Sequence, residues 1–212
     1  MTDKITVACI QNCATPDVDE NIRTCRALAT DAIAAGAGLI ALPEYFSGIY
    51  TEGPDVHPVA FHENSHPVLA AFSDLARDHG VNILLGSLGV KSADGRIFNR
   101  AFMLGRDGGI LAQYDKIHMF DVDLGPGKKV CESATIAPGS KAVIASFDAV
   151  KMGLSICYDL RFAYLYRALA KAGANVLAVP AAFMKQTGKA HWHVLNRARA
   201  IETGSFVIAP CQ

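Results

Sequence analysis

Cys157 ends an apolar run, Met152-Gly153-Leu154-Ser155-Ile156, and precedes a helical pattern that opens near Asp159. Such a strand-to-helix corner suits a nucleophile. Backbone amides there can hold an oxyanion, and the positive end of a helix dipole favours a thiolate. A free thiol ionises only near about pH 8.5 and needs such a setting to react at neutral pH. The competing reading is a buried core cysteine. Glu44 follows another apolar run in Ala41-Leu42-Pro43-Glu44-Tyr45-Phe46. A carboxylate between apolar neighbours at a strand's C-terminal end should have a raised pKa, as a general base requires. The alternative is an exposed loop glutamate. Lys116 closes a third strand-like run, Gln113-Tyr114-Asp115-Lys116-Ile117-His118. Its ammonium could stabilise a developing oxyanion, or it could be a solvated lysine paired with Asp115.

Other patterns carry less chemistry. His191-x-His193 has ligand-like spacing, but on a helix the two side chains face apart and a third ligand is missing. Gly125-Pro-Gly-Lys128 lacks the first glycine and the Ser/Thr of a phosphate loop. Asp121-x-Asp123 fails as a calcium loop, because Gly125 takes the next ligand position. These read as surface or capping features, and no metal site is expected.

The elements around the three residues follow from periodicity. Lys4–Gln11 reads as a strand. Asp17, with Glu20 three residues later, opens a helix whose apolar stripe runs from Ile22 to Ile33 and which exits at Gly36. Leu39–Leu42 is a short buried strand. A second helix opens near Ser65, with Pro67 in its first turn, and stops at Gly80. Val81–Val90, Ile97–Leu104 and Ile110–Tyr114 read as strands joined at Asp94-Gly95 and Asp107-Gly108. Lys141–Phe147 and Lys151–Ile156 form another hairpin. Helix follows at Leu160–Lys171, strand at Val176–Val179, helix from about Ala190 to Thr203, and strand at Phe206–Ala209. The segment from Ala35 to Pro43 echoes that from Ala172 to Pro180, which suggests either two similar strand-helix-strand halves or merely the common look of helix-to-strand turns. The mixture points to an α/β fold with one mixed sheet or two sheets and outer helices.

Composition bounds the rest. The 212 residues are 51% hydrophobic and 19% charged, ample for a core. Twenty basic and twenty acidic residues cancel, so no long-range field recruits nucleic acid or an anionic membrane. No apolar run is long enough to span a bilayer, and Met1-Thr2-Asp3-Lys4 has no signal-peptide layout. The six cysteines lack paired C-x-x-C spacing, which fits a cytoplasmic protein with free thiols.

Taken together, Leu42-Pro43-Glu44, Tyr114 to His118 and Ile156 to Phe162 resemble the nitrilase superfamily of carbon–nitrogen hydrolases, whose sites use a Glu-Lys-Cys triad. The order fits, as do the separations of 72 and 41 residues between Glu44, Lys116 and Cys157. Cys131-Glu132-Ser133, His191-Trp192 and Arg197 to Glu202 match further. The likeness runs from Val7 to the last residue and is greatest to the branch that holds omega-amidase and deaminated glutathione amidase.

The resemblance implies an α-β-β-α four-layer sandwich over a single domain, residues 1–212. The sandwich would pair with a second copy, and no metal or organic cofactor is needed. Members usually continue for some tens of residues beyond this point, so a C-terminal segment is expected to be lacking. The implied reaction is hydrolysis of a small carboxylate-bearing amide. Cys157 attacks, Glu44 moves the proton, and Lys116 with the Tyr158 amide holds the oxyanion. Glu132 supports Lys116 or the substrate, and Arg161 or Lys185 meets the substrate carboxylate. Two rival readings remain: a Cys-His hydrolase using His191 or His193, and a non-catalytic scaffold.

Overall fold

Alternation along the strands sorts the apolar side chains into three separate cores. The computed structural model describes residues 4–52, 55–123, 125–127 and 129–212. Met1–Asp3 and Lys128, which entered the sequence reading, lie outside the described residues. Ile40 and Leu42 face one core while Leu39 and Ala41 face another. Ile83 and Leu85 alternate with Leu84 in the same way, and Phe102 and Leu104 with Ala101 and Met103. A strand buried on both faces needs apolar residues at every position, which is why these segments read as continuous runs.

Among the described residues the first sheet has seven strands. Val7–Cys9, Leu39–Ala41 and Asn82–Lys91 are parallel neighbours, and Ile97–Leu104 pairs antiparallel with the last of them. Ile110–Asp115 extends the sheet antiparallel to Ile97–Leu104. Ala60–His62 and Ile136–Ala137 add short parallel edges. The second sheet runs Ile144–Phe147, Val150–Leu154, Val176–Ala178, Phe206–Ile208, with only the first pair antiparallel.

Helices Val18–Ala34 and Pro67–His79 cover the outer face of the first sheet. The inner faces of the two sheets pack on each other through Leu84, Met103, Tyr114, Met152 and Leu154. Helices Ala163–Lys171 and Lys185–Thr203 cover the second sheet through Leu165, Tyr166, Leu169 and Leu177. The layers are therefore α-β-β-α, as expected. No helix among the described residues is long and apolar enough to cross a membrane.

Local signals acted as their chemistry requires. The Asp17 carboxylate accepts from the Glu20 N–H at 2.9 Å and starts the first helix. Gly80, at φ 62°, ends the second in the left-handed conformation. Two expectations are corrected. The helix placed at Leu160–Lys171 starts only at Ala163, after a 3-10 turn over Cys157–Arg161. The helix placed from about Ala190 begins at Lys185; Gly188, a weak helix former, masked that first turn.

The echo between the two halves is structural. Ala35 and Ala172 close their helices with nearly identical dihedrals, and Gly36 and Gly173 follow at φ 91° and 94°. The two strands that emerge, Leu39–Ala41 and Val176–Ala178, lie in different sheets and lead into Pro43 and Pro180. Gly86 sits where they meet, at a register shift in Asn82–Lys91. A Cβ there would collide with the Leu42 carbonyl, and would lie 2.6 Å from the Pro43 carbonyl and the Pro180 ring. Gly86→Ala should therefore cost about 2–3 kcal/mol, a melting temperature lower by roughly 5–10 °C. An unchanged thermal melt would show that the seam has slack.

Candidate active site

Each half of the sandwich delivers part of one buried cluster at that seam. Glu44 follows Pro43, and the 3-10 turn after Val150–Leu154 carries Cys157. Lys116 follows the end of Ile110–Asp115. The ribbon Asp121–Asp123 with Lys129–Cys131 leads into Glu132. Glu44, Lys116 and Cys157 are all buried.

Lys116 is the hub. Its Nζ donates to Glu44 Oε1 at 3.2 Å and to Glu132 Oε1 and Oε2 at 3.0 and 2.8 Å. Burial alone would favour the neutral amine, but the two carboxylates outweigh it and hold the Lys116 pKa above its ordinary value. The carboxylates are fixed in turn. Ala182 N–H donates to Glu44 Oε2 at 2.8 Å, and Phe120 N–H donates to Glu132 Oε2 at 2.6 Å. The Asn99 amide donates to Glu44 Oε1 at 2.8 Å and reaches Glu132 Oε1 at 3.4 Å. The alternative of a solvated Lys116 paired with Asp115 is overturned; Asp115 pairs with Arg100 instead.

Cys157 has φ 48°, a conformation that a non-glycine residue holds only when its surroundings force it. Its N–H is tied to the Pro180 carbonyl at 2.9 Å. The N–H of Tyr158 has no acceptor among the described residues, so a donor stands free beside the sulfur. Asp159 locks this turn. Its fully buried carboxylate accepts from the Ile156 N–H (2.9 Å), the Tyr114 hydroxyl (2.7 Å) and the His118 N–H (3.1 Å). Those last two residues flank Lys116, so one carboxylate aligns the nucleophile turn with the lysine.

The electrostatics correct one expectation. The helix after Cys157 starts too late to act on the sulfur. Burial first, and the Glu44 carboxylate second, push the thiol well above its usual pKa; Lys116 pulls the other way and loses. The resting sulfur is therefore S–H, next to a carboxylate that can take its proton.

A cavity of about 150 Å³ opens onto the cluster. Tyr158 lines it, with Phe120, Phe183 and Met184 among its apolar walls. Arg161 and Lys185 are not among the residues that line it. The tight turn carries the Arg161 guanidinium over the Tyr158 and Phe183 rings, 5.6 and 5.4 Å from their centres, and onto His191 Nδ1 at 3.2 Å. Lys185 is exposed at the start of its helix. Neither His191 nor His193 lines the cavity, so the Cys-His arrangement has no geometric basis. Among the described residues no cluster of His, Cys, Asp or Glu has metal-binding geometry. Sequence reasoning missed Asn99, a polar residue inside a strand; its only signal was an amide amid otherwise apolar inward positions.

Residues 6–212 match the family model described as carbon-nitrogen hydrolase. The chain belongs to the carbon–nitrogen hydrolase family. This hydrolase is 39% identical to a deaminated glutathione amidase of Synechocystis sp., over 97% of this chain and 76% of that protein. It is 39% identical to the human deaminated glutathione amidase, over 97% and 64% respectively. An omega-amidase of Xenopus tropicalis is 34% identical over 96% and 73%. Among solved structures, it superposes on Saccharomyces cerevisiae Nit3, a nitrilase-superfamily member, with a TM-score of 0.84. That match has 26% identity and covers 98% of this chain and 75% of Nit3. The Caenorhabditis elegans NitFhit protein gives a TM-score of 0.87 at 28% identity, covering 99% and 52%. The reaction class is hydrolysis of a non-peptide carbon–nitrogen bond.

Because thiolate is the species that alkylates, the rate at which iodoacetamide labels Cys157 should still climb as pH passes about 9. Peptide mapping by mass spectrometry reads this directly. A plateau near neutral pH would mean the sulfur rests as thiolate.

Proposed function

We propose that this chain hydrolyses a small carboxylate-bearing carboxamide, of the deaminated glutathione or α-keto acid ω-amide type, to acid and ammonia through a thioester on Cys157. The observation that carries the reading is the Lys116 ammonium held between Glu44 and Glu132 in the cavity that also holds the protonated Cys157 sulfur. The names of the relatives support the substrate class.

In the first half-reaction the sulfur attacks the amide carbon while the S–H proton passes to Glu44. A carbon–sulfur bond forms and the carbonyl becomes a tetrahedral oxyanion. The free Tyr158 N–H donates to it, and the Lys116 charge lies alongside; one such donor in a dry site is worth about 3–4 kcal/mol. Glu44 then returns the proton to nitrogen, the carbon–nitrogen bond breaks and ammonia leaves. In the second half a water gives its proton to Glu44 and adds to the thioester. Collapse expels the sulfur, which recovers the proton, and the acid is released. Glu132 and Asn99 keep Lys116 and Glu44 aligned through both halves.

The same reading makes the protein a cytoplasmic homodimer built from one hydrolase domain per chain. Tyr164, Ile201 and Phe206 are 88%, 78% and 79% exposed on three adjoining elements of the second sheet and its helices, and such apolar surface suits a subunit contact. Sedimentation velocity should give twice the chain mass, and Ile201→Lys with Phe206→Lys should give the monomer. A monomeric parent would refute the assembly.

Ammonia release from a panel of small amides tests the chemistry. Cys157→Ala should abolish turnover and the thioester adduct seen by mass spectrometry, while Cys9→Ala should behave as parent. Glu44→Gln should lower kcat by about 10²–10⁴ with the fold kept. Turnover within tenfold of parent would remove Glu44 as the proton carrier.

A further inference from the structure

A substrate carboxylate needs a cationic or donor-rich partner in the cavity, and the two residues expected to supply it lie outside. Among the described lining residues, only Lys116 and His57 can carry positive charge. An ammonium has three donors, and those of Lys116 are met by Glu44 and by both oxygens of Glu132. His57 has no such engagement. It sits on the ribbon formed by Ile49–Glu52 and Asp55–Pro58, directly across from Tyr50. The two rings stack with centres 5.4 Å apart and planes 29° apart, which fixes the imidazole's plane while leaving it half-buried. Thr135 and Thr187 add hydroxyls to the same cavity. The remaining walls are mainly apolar, and in such surroundings a single charged contact discriminates strongly.

We infer that His57 is the specificity residue that receives the substrate's carboxylate, with the thiol and the Glu44–Lys116–Glu132 cluster acting on the amide end in the same cavity. This rests on the amide-hydrolysis reading above for its substrate class, and it assigns to the ribbon Ile49–Pro58 the task of selecting acidic amides.

Two measurements decide it. The first compares kcat/KM for glutaramate with that for pentanamide, which has the same chain length and no charge. The parent should prefer glutaramate. His57→Ala should erase about tenfold or more of that preference, mainly through KM, and His57→Lys should restore part of it. Equal losses on both amides, or an unaltered preference, would overturn the assignment. The second titrates glutarate into the full-length Cys157→Ala protein and follows the His57 imidazole by NMR. A saturable shift is expected, and its absence overturns the inference. A parent that releases ammonia from neither amide would defeat the amidase reading, while the glutarate titration would still decide the role of His57.

Discussion

An ammonium sealed away from water must be matched by negative charge, and Lys116 organises the molecule around that requirement. An unpaired charge there would cost several kcal/mol. The two carboxylates that answer it come from distant stretches of the chain, and each is itself held by backbone N–H groups and the Asn99 amide. The cluster has two negative groups for one positive. Burial first, and the Glu44 carboxylate second, then hold the neighbouring thiol's pKa above its ordinary value.

Two devices bring these parts into register. Asp159 accepts from both residues that flank Lys116 and from the strand end before Cys157, so lysine and sulfur cannot drift apart without baring a buried carboxylate. The glycine at position 86 lets the paired prolines of the two halves approach closely enough for Glu44 and the Ala182 N–H to meet. Side-chain chemistry and backbone clearance thus act on the same few ångströms.

Much of this was legible from the residues. Glu44, Lys116 and Cys157 each stand just past an apolar run, and the end of a buried strand is where a side chain can be both desolvated and reachable. The periodicities gave an α/β fold with helices outside its sheets; the four-layer order came only with the family resemblance. The polar scaffold was less legible. Asn99 lies within Ile97–Leu104, where a strand's alternation makes a polar residue look outward-facing. Arg161 has the right charge and nearness in sequence, but the left-handed Cys157 backbone and the tight turn after it send its side chain onto aromatic rings. The ribbon of Ile49–Glu52 and Asp55–Pro58 was missed because its strands are only four residues each and carry few apolar residues to alternate.

A sulfur that rests as S–H has a consequence beyond turnover. Peroxides and disulfides react with thiolates far faster than with thiols. An enzyme that waits between substrates with its proton in place is therefore a poor target for oxidants, and its most valuable atom survives idle periods that would ruin a permanently ionised cysteine. The burial and negative charge that hold the thiol's pKa up double as a form of chemical storage.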